Sequence, residues 1–551
     1  MFNMTNLHSK WQIKLILDGI DVSSNLTNTL RIEAEEGTAK IAEFSLMPHA
    51  GPISVTKWMG KSVMLSYQQQ ADSGAFLEHI LFNGIVDEPL YDPTTKITTF
   101  ICSDQLQDKI QKLTRSEINT FIKGHWSHVV FDHTHDNWQY TQDLLSTVPK
   151  SLDLDNTNNF QLTSWQTKEA PDFTFTDDNI LYQSIDVQLA NRREIHNQAN
   201  LLVQYRYQRL KQRDIHFGYQ YPLSFCEQNF RNSTLPNVDM IQQAISGTGW
   251  HLKGNVQNEH QPASGWMKCP HSHFGWLIRE EMRKFLVRDA MFTLSKRFIQ
   301  TVTENYQLQV KAPQSINQFG EILHQENITL EIAQDTDKFT SIEKYQSPMP
   351  ESIVDSNGDY VIEAEDRAQL NQGIKTKLNQ AKTAILKSHR NNLITFKTPL
   401  HPVIERHHTV KMVTLDVKAQ GKVKHIIHEC DFNQGLAQST VTIAVSRTDD
   451  EMKVCDIPLS SPNKINQLGE AGLQINIALP TYLGGKKTSL EYNDSWDGYS
   501  GNEKPEHGGK IYPEKFSITV PGVEEAQSPI NYHLNNQYEI SIPNELLLLS
   551  A

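Results

Sequence analysis

Residues 420–447 read QGKVKHIIHECDFNQGLAQSTVTIAVSR, and their side chains alternate with a period of two. A strand sends successive side chains to opposite faces, so this spacing predicts two strands. From Gly421 to Asp431, one face carries Val423, His425, Ile427 and Glu429; the other carries Lys424, Ile426, His428 and Cys430. Beyond the turn, Val441, Ile443 and Val445 line one face, and Thr440, Thr442 and Ala444 the other. Asn433 and Gly435 tolerate positive φ, so the segment reads as a hairpin. The spacing of His425, His428 and Cys430 invites a metal site. On a strand, however, the two histidines point apart and cannot grip one ion, so packing and hydrogen bonding are their expected roles.

The same grammar stands earlier in the chain. FNGIVDEPLYDPTTKITTFICSD (82–104) also runs Gly-x-Val, an extended strand, a polar turn and a Thr-rich strand ending in Ser. Gly84 and Gly421 mark matching points, which predicts an internal duplication. Residues 11–112 read as consecutive short strands, with a hairpin signal at Asp18-Gly19 and a short helix in QLQDKIQKL (105–113). The expected fold is therefore mainly β with α insertions, an α+β multidomain chain. A first barrel spans 1–112, a connecting domain 113–190, and a second, discontinuous barrel 191–235 and 390–450. An inserted α/β domain with long helices occupies 236–389, and a loop-rich C-terminal extension 451–551. Within these, 195–217 reads as a strand with Val203, Tyr205 and Tyr207 on one face. Trp276–Ile299 reads as a helix with Ile278, Met282, Phe285 and Leu286 together. Residues 364–388 form the clearest helix, with Leu370, Ile374, Leu378, Ala381 and Ile385 on one stripe and Gln, Lys and Asn on a solvated face. KFSITVPGV and QYEISIP are expected strands of the extension.

A chain of 551 residues has room for about three or four domains. Its net charge of −13 argues against a dedicated nucleic-acid binder, while a DNA passage lined with acidic residues fits the sign. No stretch approaches the roughly 20 apolar residues of a membrane span, and MFNMTNLHSKWQIKLILDGI has no leader-like apolar core. Cys102, Cys226, Cys269, Cys430 and Cys455 are odd in number and far apart, which reads as free thiols of a reducing cytoplasm.

Catalytic signatures are missing from the sequence. There is no Gly-x-Ser-x-Gly elbow; HECDF (428–432) has Phe432 where a zinc protease needs its second His; LGGKKTS (483–489) lacks the first glycine of a phosphate loop. Two histidine clusters deserve weighing: His125, His128, His133 and His135 flanked by Asp132 and Asp136, and Cys269, His271 and His273. On a strand His133 and His135 would share a face. Structural zinc takes four ligands, and neither cluster offers a closed set. No catalytic, cofactor or metal residue is therefore assigned. The aromatics of WQYTQDLL and VQYRYQRL read as packing residues rather than a stacking platform.

The chain resembles the hub proteins of bacteriophage and prophage tails, the group that includes baseplate hubs and late-control tail proteins. The resemblance rests on TVKMVTLDVKAQGKVKHIIHECDFNQGLAQSTVTIAVSR (409–447), SKRFIQTVTENYQLQVKAP (295–313) and LLSTVPKSLDLD (144–155). It implies a non-enzymatic trimer in which two barrels per chain give a pseudo-sixfold ring around a channel. The implied partners are two further copies, a tail tube or distal tail protein, a tip or spike protein and a tape measure protein. DNA is implied only in passage, with no stable membrane insertion and no cofactor. The implied location is the virion tail tip, after assembly in the host cytoplasm. The alternatives are a tail-associated cell-wall hydrolase and a carbohydrate-binding receptor protein.

Overall fold

The alternation in the first hundred residues becomes six antiparallel strands that share one apolar core. The computed structural model describes residues 10–47, 57–70, 76–220, 238–260, 267–268, 277–278, 287–331, 353–355, 357–364, 367–445, 473–478, 491–492, 498–499, 511–512, 516–517, 522–524, 527–540 and 547–549. The six strands are β1 (Trp11–Leu17), β2 (Leu26–Glu35), β3 (Ile41–Leu46), β4 (Ser62–Gln70), β5 (Phe76–Tyr91) and β6 (Thr98–Ser103). Their order is β2-β3-β6-β5-β4-β1. Asp18 and Gly19, at φ 51° and 80°, make the tight turn after β1. Leu15, Ile32, Phe44, Leu65, Phe82 and Phe100 face the core, where the Phe44 and Phe100 rings stack at 5.2 Å.

Three short helices and a hairpin follow: α1 (Leu106–Gln111), α2 (Arg115–Ile122), α3 (Asn137–Leu145), β7 (Lys150–Leu154) and β8 (Phe160–Ser164). Thr114 and Glu117 form a capping box that starts α2. Tyr140 and Leu144 of α3 pack with Ile118, Ile122 and Leu152 in a core of their own.

The chain then makes β9 (Phe173–Thr176) and β10 (Asp186–Gln188), followed by the long strands β11 (Gln198–Gln220) and β12 (Val287–Lys311). These two pair antiparallel along all of β11. β13 (Leu323–Glu331) lies parallel to β11. Helix α4 (Arg367–Ser388) crosses this sheet, burying Leu370, Ile374, Leu378, Ala381 and Ile385 against Tyr205, Tyr207, Val302, Tyr306 and Leu308. Each Leu or Ile there contributes about 1.5–3 kcal/mol of burial. A second module comprises β14 (Leu393–Pro399), β15 (Thr409–Val413), β16 (Val417–Asp431) and β17 (Leu436–Ala444) with β9 and β10, in the order β10-β14-β17-β16-β15-β9. β18 (Ile530–Glu539), from the C-terminal region, runs parallel to β12.

The architecture is mainly β, and several expectations need correction. Residues 198–220, assigned above to the second barrel, pair with 287–311 instead; the missing strands of the second module come from 173–188. Four- and three-residue strands are too short to show alternation, whereas a long alternating strand announces itself but not its partner. The expected helix over 276–299 is a strand from Val287 onward, with Phe292, Leu294, Phe298 and Val302 buried at even spacing. The solvated face expected of α4 is partly covered: Thr376, Asn379, Lys382 and Thr383 are buried. Residues 126–129 approach the helix, with Gln372 donating to the Trp126 carbonyl at 2.7 Å. QYEISIP overlaps β18, which starts earlier, at Ile530; most of KFSITVPGV and of the 479–510 loop segment lies outside the described residues.

Candidate assembly site

The two modules agree in register, residue by residue. A Cβ on Gly84 would stand 2.0 Å from the Ser103 carbonyl oxygen, and one on Gly421 2.4 Å from that of Ala444. Only glycine fits so close a backbone approach. One residue on, Ile85 pairs with Ser103 and Lys422 with Ala444. Two residues later each strand carries one extra residue, Asp87 in β5 and Lys424 in β16, as a bulge. Further along, Tyr91 pairs with Thr98 and His428 with Ser439. The next strands extend the match: Ile32 pairs with Ala42 and Ala42 with Cys102, as Val187 pairs with Ile394 and Ile394 with Ile443. The modules differ at their far edge, where β1 is antiparallel to β4 but β9 is parallel to β15.

The bulge also corrects the face assignment in β16. Val423 and Ile426 are both buried, while His425 is partly exposed. The extra residue shifts the phase, so Ile426, His428 and Cys430 become the core-facing set.

One strand edge joins the modules. Residues 425–431 of β16 pair antiparallel with residues 35–29 of β2, making a continuous sheet. The cores interpenetrate: Ala34 belongs to the second module's core, and Cys430 and Leu400 to the first's. Trp11 of β1 stands 6.3 Å from Phe432.

Beneath the joint lies a buried ionic cluster. Glu36 pairs with Arg390 at 2.8 Å and with Lys422 at 2.6 Å, all three nearly inaccessible. Burial alone would raise the Glu36 carboxyl, but Arg390 and Lys422 hold it below its ordinary value. Burial pulls the Lys422 ammonium down, with Glu36 opposing. Arg406 pairs with Asp153 at 3.1 Å and donates to the Glu35, Thr38 and Leu154 carbonyls. Lys40, buried and beside Arg406, is lowered to about 8. These charges tie β2, the β7–β8 hairpin and the second module together. Sequence reading missed them because their members lie hundreds of residues apart.

The histidines sit as follows. His425 bonds Glu33 at 2.9 Å, and His428 bonds the Ser439 hydroxyl at 2.8 Å. Burial pushes His428 down to about 3. His401 and His408, not singled out in the sequence, meet Phe173 edge-on at 4.8 and 5.0 Å, and burial lowers both to about 4. His133 and His135 lie in turns rather than on a strand; His135 bonds Asp143 at 2.9 Å, and His133 stands 3.8 Å from Asp132. His128 bonds Gln369, and His125 is lowered by burial. Asp136 caps α3 by accepting from the Gln139 amide. Among the described residues no group of three or more His, Cys, Asp or Glu is placed to hold a metal ion. Cys269, His271 and His273 lie outside those residues. Cys102 and Cys430 are buried free thiols; Cys226, Cys269 and Cys455 are not among the described residues.

A shallow groove of about 450 Å³ runs over the outer face of β11, β12, β13 and β18. Leu202, Gln204, Asn305, Gln307, Thr329, His533 and Asn535 line it. Most of the lining surface is apolar, and the amides and the Thr329 hydroxyl set in it can hydrogen-bond but supply little acid–base chemistry. Among the described residues no helix is long and apolar enough to cross a membrane.

No protein-family model matches the chain, and no curated protein matches it. Among solved structures, it is similar to a tail protein from Neisseria meningitidis MC58 at 8% identity and a TM-score of 0.38, over 79% of this chain and 96% of that one. It is similar to the 43 kDa tail protein of prophage MuSo2 from Shewanella oneidensis at 9% identity and a TM-score of 0.36, over 78% and 98%. A prophage tail protein from Listeria monocytogenes EGD-e matches at 8% identity and a TM-score of 0.31, over 80% and 95%. These three are tail proteins, two of them from prophages.

Proposed function

We propose that the chain is a structural hub of a phage tail or phage-derived particle, three copies of which form a ring around a channel for DNA. The observation that carries the reading is the repeated module: one strand order and one glycine-and-bulge register, twice per chain, joined edge to edge. Three copies then supply six like modules, which meet a sixfold tube on one side while the rest of the chain repeats threefold toward a tip or spike. The partners on this reading are a tail tube or distal tail protein, a tip or spike protein and a tape measure protein. The place is the virion tail tip, reached after assembly in the host cytoplasm. Its work is mechanical and needs no catalytic residue or cofactor. Imaging the purified full chain by electron microscopy, with its mass measured in solution, tests the reading. A ring of three with an axial opening supports it; a stable ring of another number overturns it, as does cell-wall degradation lost on changing one carboxylate.

A further inference from the structure

The internal joint has a counterpart at each end of the joined sheet that is unfilled among the described residues. In the second module, β16 runs on past the end of β15, and β2 fills the edge so exposed. In the first module, β5 runs on past the end of β4 in the same way, over Glu88–Tyr91. Among the described residues no strand pairs with that edge. The counterpart of β2 is β10, which pairs with β14 on one side and, among the described residues, with nothing on the other. Among the described residues each chain thus carries one open edge and one strand of the kind that fills it.

We propose that β10 of one copy pairs antiparallel with residues 88–91 of β5 in the next copy, repeating between chains the joint that β2 and β16 make within one. The proposal rests on the ring reading above and names its contact. The occupant is a second copy because the chain already builds this joint once from its own repeat.

The register follows from the equivalences. Within the chain, Ile427 pairs with Glu33, His428 with Ile32 and Ile426 with Ala34. Carried over, Leu90 meets Gln188 of the next copy, Tyr91 meets Val187, and Pro89 meets Leu189. The core-facing set of this joint is then Pro89, Tyr91, Val187 and Leu189, all able to exclude water. Of these, Tyr91 and Leu189 are exposed, Val187 is half-buried and Pro89 is already buried within its own chain. Leu189 is 58% exposed, whereas its counterpart Ala34 is 3% exposed inside the internal joint. Leu90 and Tyr91 are also exposed, and unpaired edges of this kind ordinarily need cover. Asp92 does not reach Asp186, because it turns into its own loop, accepting from Thr94 and Thr95. The joint is weaker in backbone hydrogen bonds than the internal one. Phe432, in phase with Ile426, donates its amide to Asn28, so Ile426 faces β2 as well, and Pro89 in its place has no amide hydrogen to offer.

Directly opposed residues of antiparallel strands bring Cβ atoms within disulfide reach. The test is the full chain carrying Leu90→Cys and Gln188→Cys, mildly oxidised and run without reductant beside the wild type and each single variant. Covalent dimers and trimers confined to the double variant are the expected result, ending at three chains. Glu33→Cys with Ile427→Cys should close within one chain and serves as the control. A native trimer in which that control closes but Leu90→Cys with Gln188→Cys does not would overturn the contact and leave the ring standing. A covalent ladder running past three chains keeps the contact and overturns the ring of three. A chain that stays monomeric and unlinked at every concentration up to assembly conditions overturns both. Leu189→Asp, with unchanged circular dichroism, should cut the trimer fraction at least tenfold; no change would count against the contact.

Discussion

The close backbone approach at Gly84 and Gly421 turns one small substitution into a measurable test of the repeat. Alanine at Gly84 would put its Cβ 2.0 Å from the Ser103 carbonyl oxygen and 2.7 Å from the Phe82 ring, where real Cβ atoms essentially never come within 3.0 Å. At Gly421 the nearest atom, the Ala444 oxygen, is 2.4 Å away. In both cases the obstacle is backbone held in a ladder, so relief requires the strand to move rather than a side chain to swing. Overpacking of this kind costs about 1–3 kcal/mol, and the shorter distance places Gly84→Ala toward the upper end. Gly373 provides the control within the same chain. It lies inside helix α4, where an added Cβ meets only Ser127 and Val129 at 3.8 Å. Gly373→Ala should therefore stabilise, by up to about 1 kcal/mol. A chain with several cores does not yield one unfolding free energy, so the assay is native-state hydrogen exchange read by peptide. A cost of about 2 kcal/mol speeds exchange through the local opening roughly 30-fold. Faster exchange is expected in peptides covering 76–103 for Gly84→Ala and in those covering 417–445 for Gly421→Ala. If both substitutions leave exchange within about twofold of the wild type, the close approach does not enforce the shared register.

Further outcomes follow from the joint and its buried groups. Glu36→Gln leaves Arg390 and Lys422 buried without their anion and should cost about 3–5 kcal/mol, measured as a lower thermal midpoint; an unchanged midpoint would contradict the role given to the cluster. His428 is held at about 3, and His401 and His408 at about 4, by burial. Unfolded histidines take up protons from about pH 6.5 downward, so these three groups make stability fall as pH drops from 6.5 toward 4. Burial raises Asp104, Asp153 and Glu405, which act in the opposite sense. The informative quantity is therefore the difference between the wild type and His428→Asn, whose profile should be the shallower; parallel profiles would refute the assignment. Burial pushes the Cys430 thiol up to about 12 and raises that of Cys102. Both should resist alkylation in the native protein and react once it unfolds, as peptide mapping can follow.

The sequence showed what local spacing controls and concealed what depends on distant partners. The hairpin over 421–444, the Asp18-Gly19 turn and the buried stripe of α4 could be read directly, because each is set by neighbours within about seven residues. Tyr205 and Tyr207 were legible as core residues for the same reason. The partner of residues 198–220 was not, since alternation fixes faces and leaves pairing open; β12 begins only at Val287. β9 and β10 hold too few residues to display any period. The bulge at Lys424 was invisible as well, although it decides which side chains of β16 face the core. The paired glycines pointed to the repeat; only the register showed that Leu90 and Ile427 occupy one position.

The two joints need not be equally strong, and their residues differ in the direction their tasks require. The internal joint forms between segments of one chain, at an effective concentration set by the covalent link. It can therefore carry the buried pair of Glu36 and Lys422, whose assembly demands good geometry before any gain appears. Their counterparts at the proposed joint are Asn191 and Ile85, which form no ion pair. A joint between separate copies must form after encounter, so it is better served by apolar area that tolerates approach from many angles. Leu189 in place of Ala34 provides this. Leu189 is 58% exposed, so burying the rest of it contributes about 0.9–1.7 kcal/mol, against about 0.5–1.5 kcal/mol for the strand hydrogen bond that Pro89 cannot make. On these magnitudes the leucine and the proline are of similar size and opposite sign. The same proline weakens pairing of the free edge with any strand, because it has no amide hydrogen to offer, and the partner that also buries Leu189 regains most of that loss.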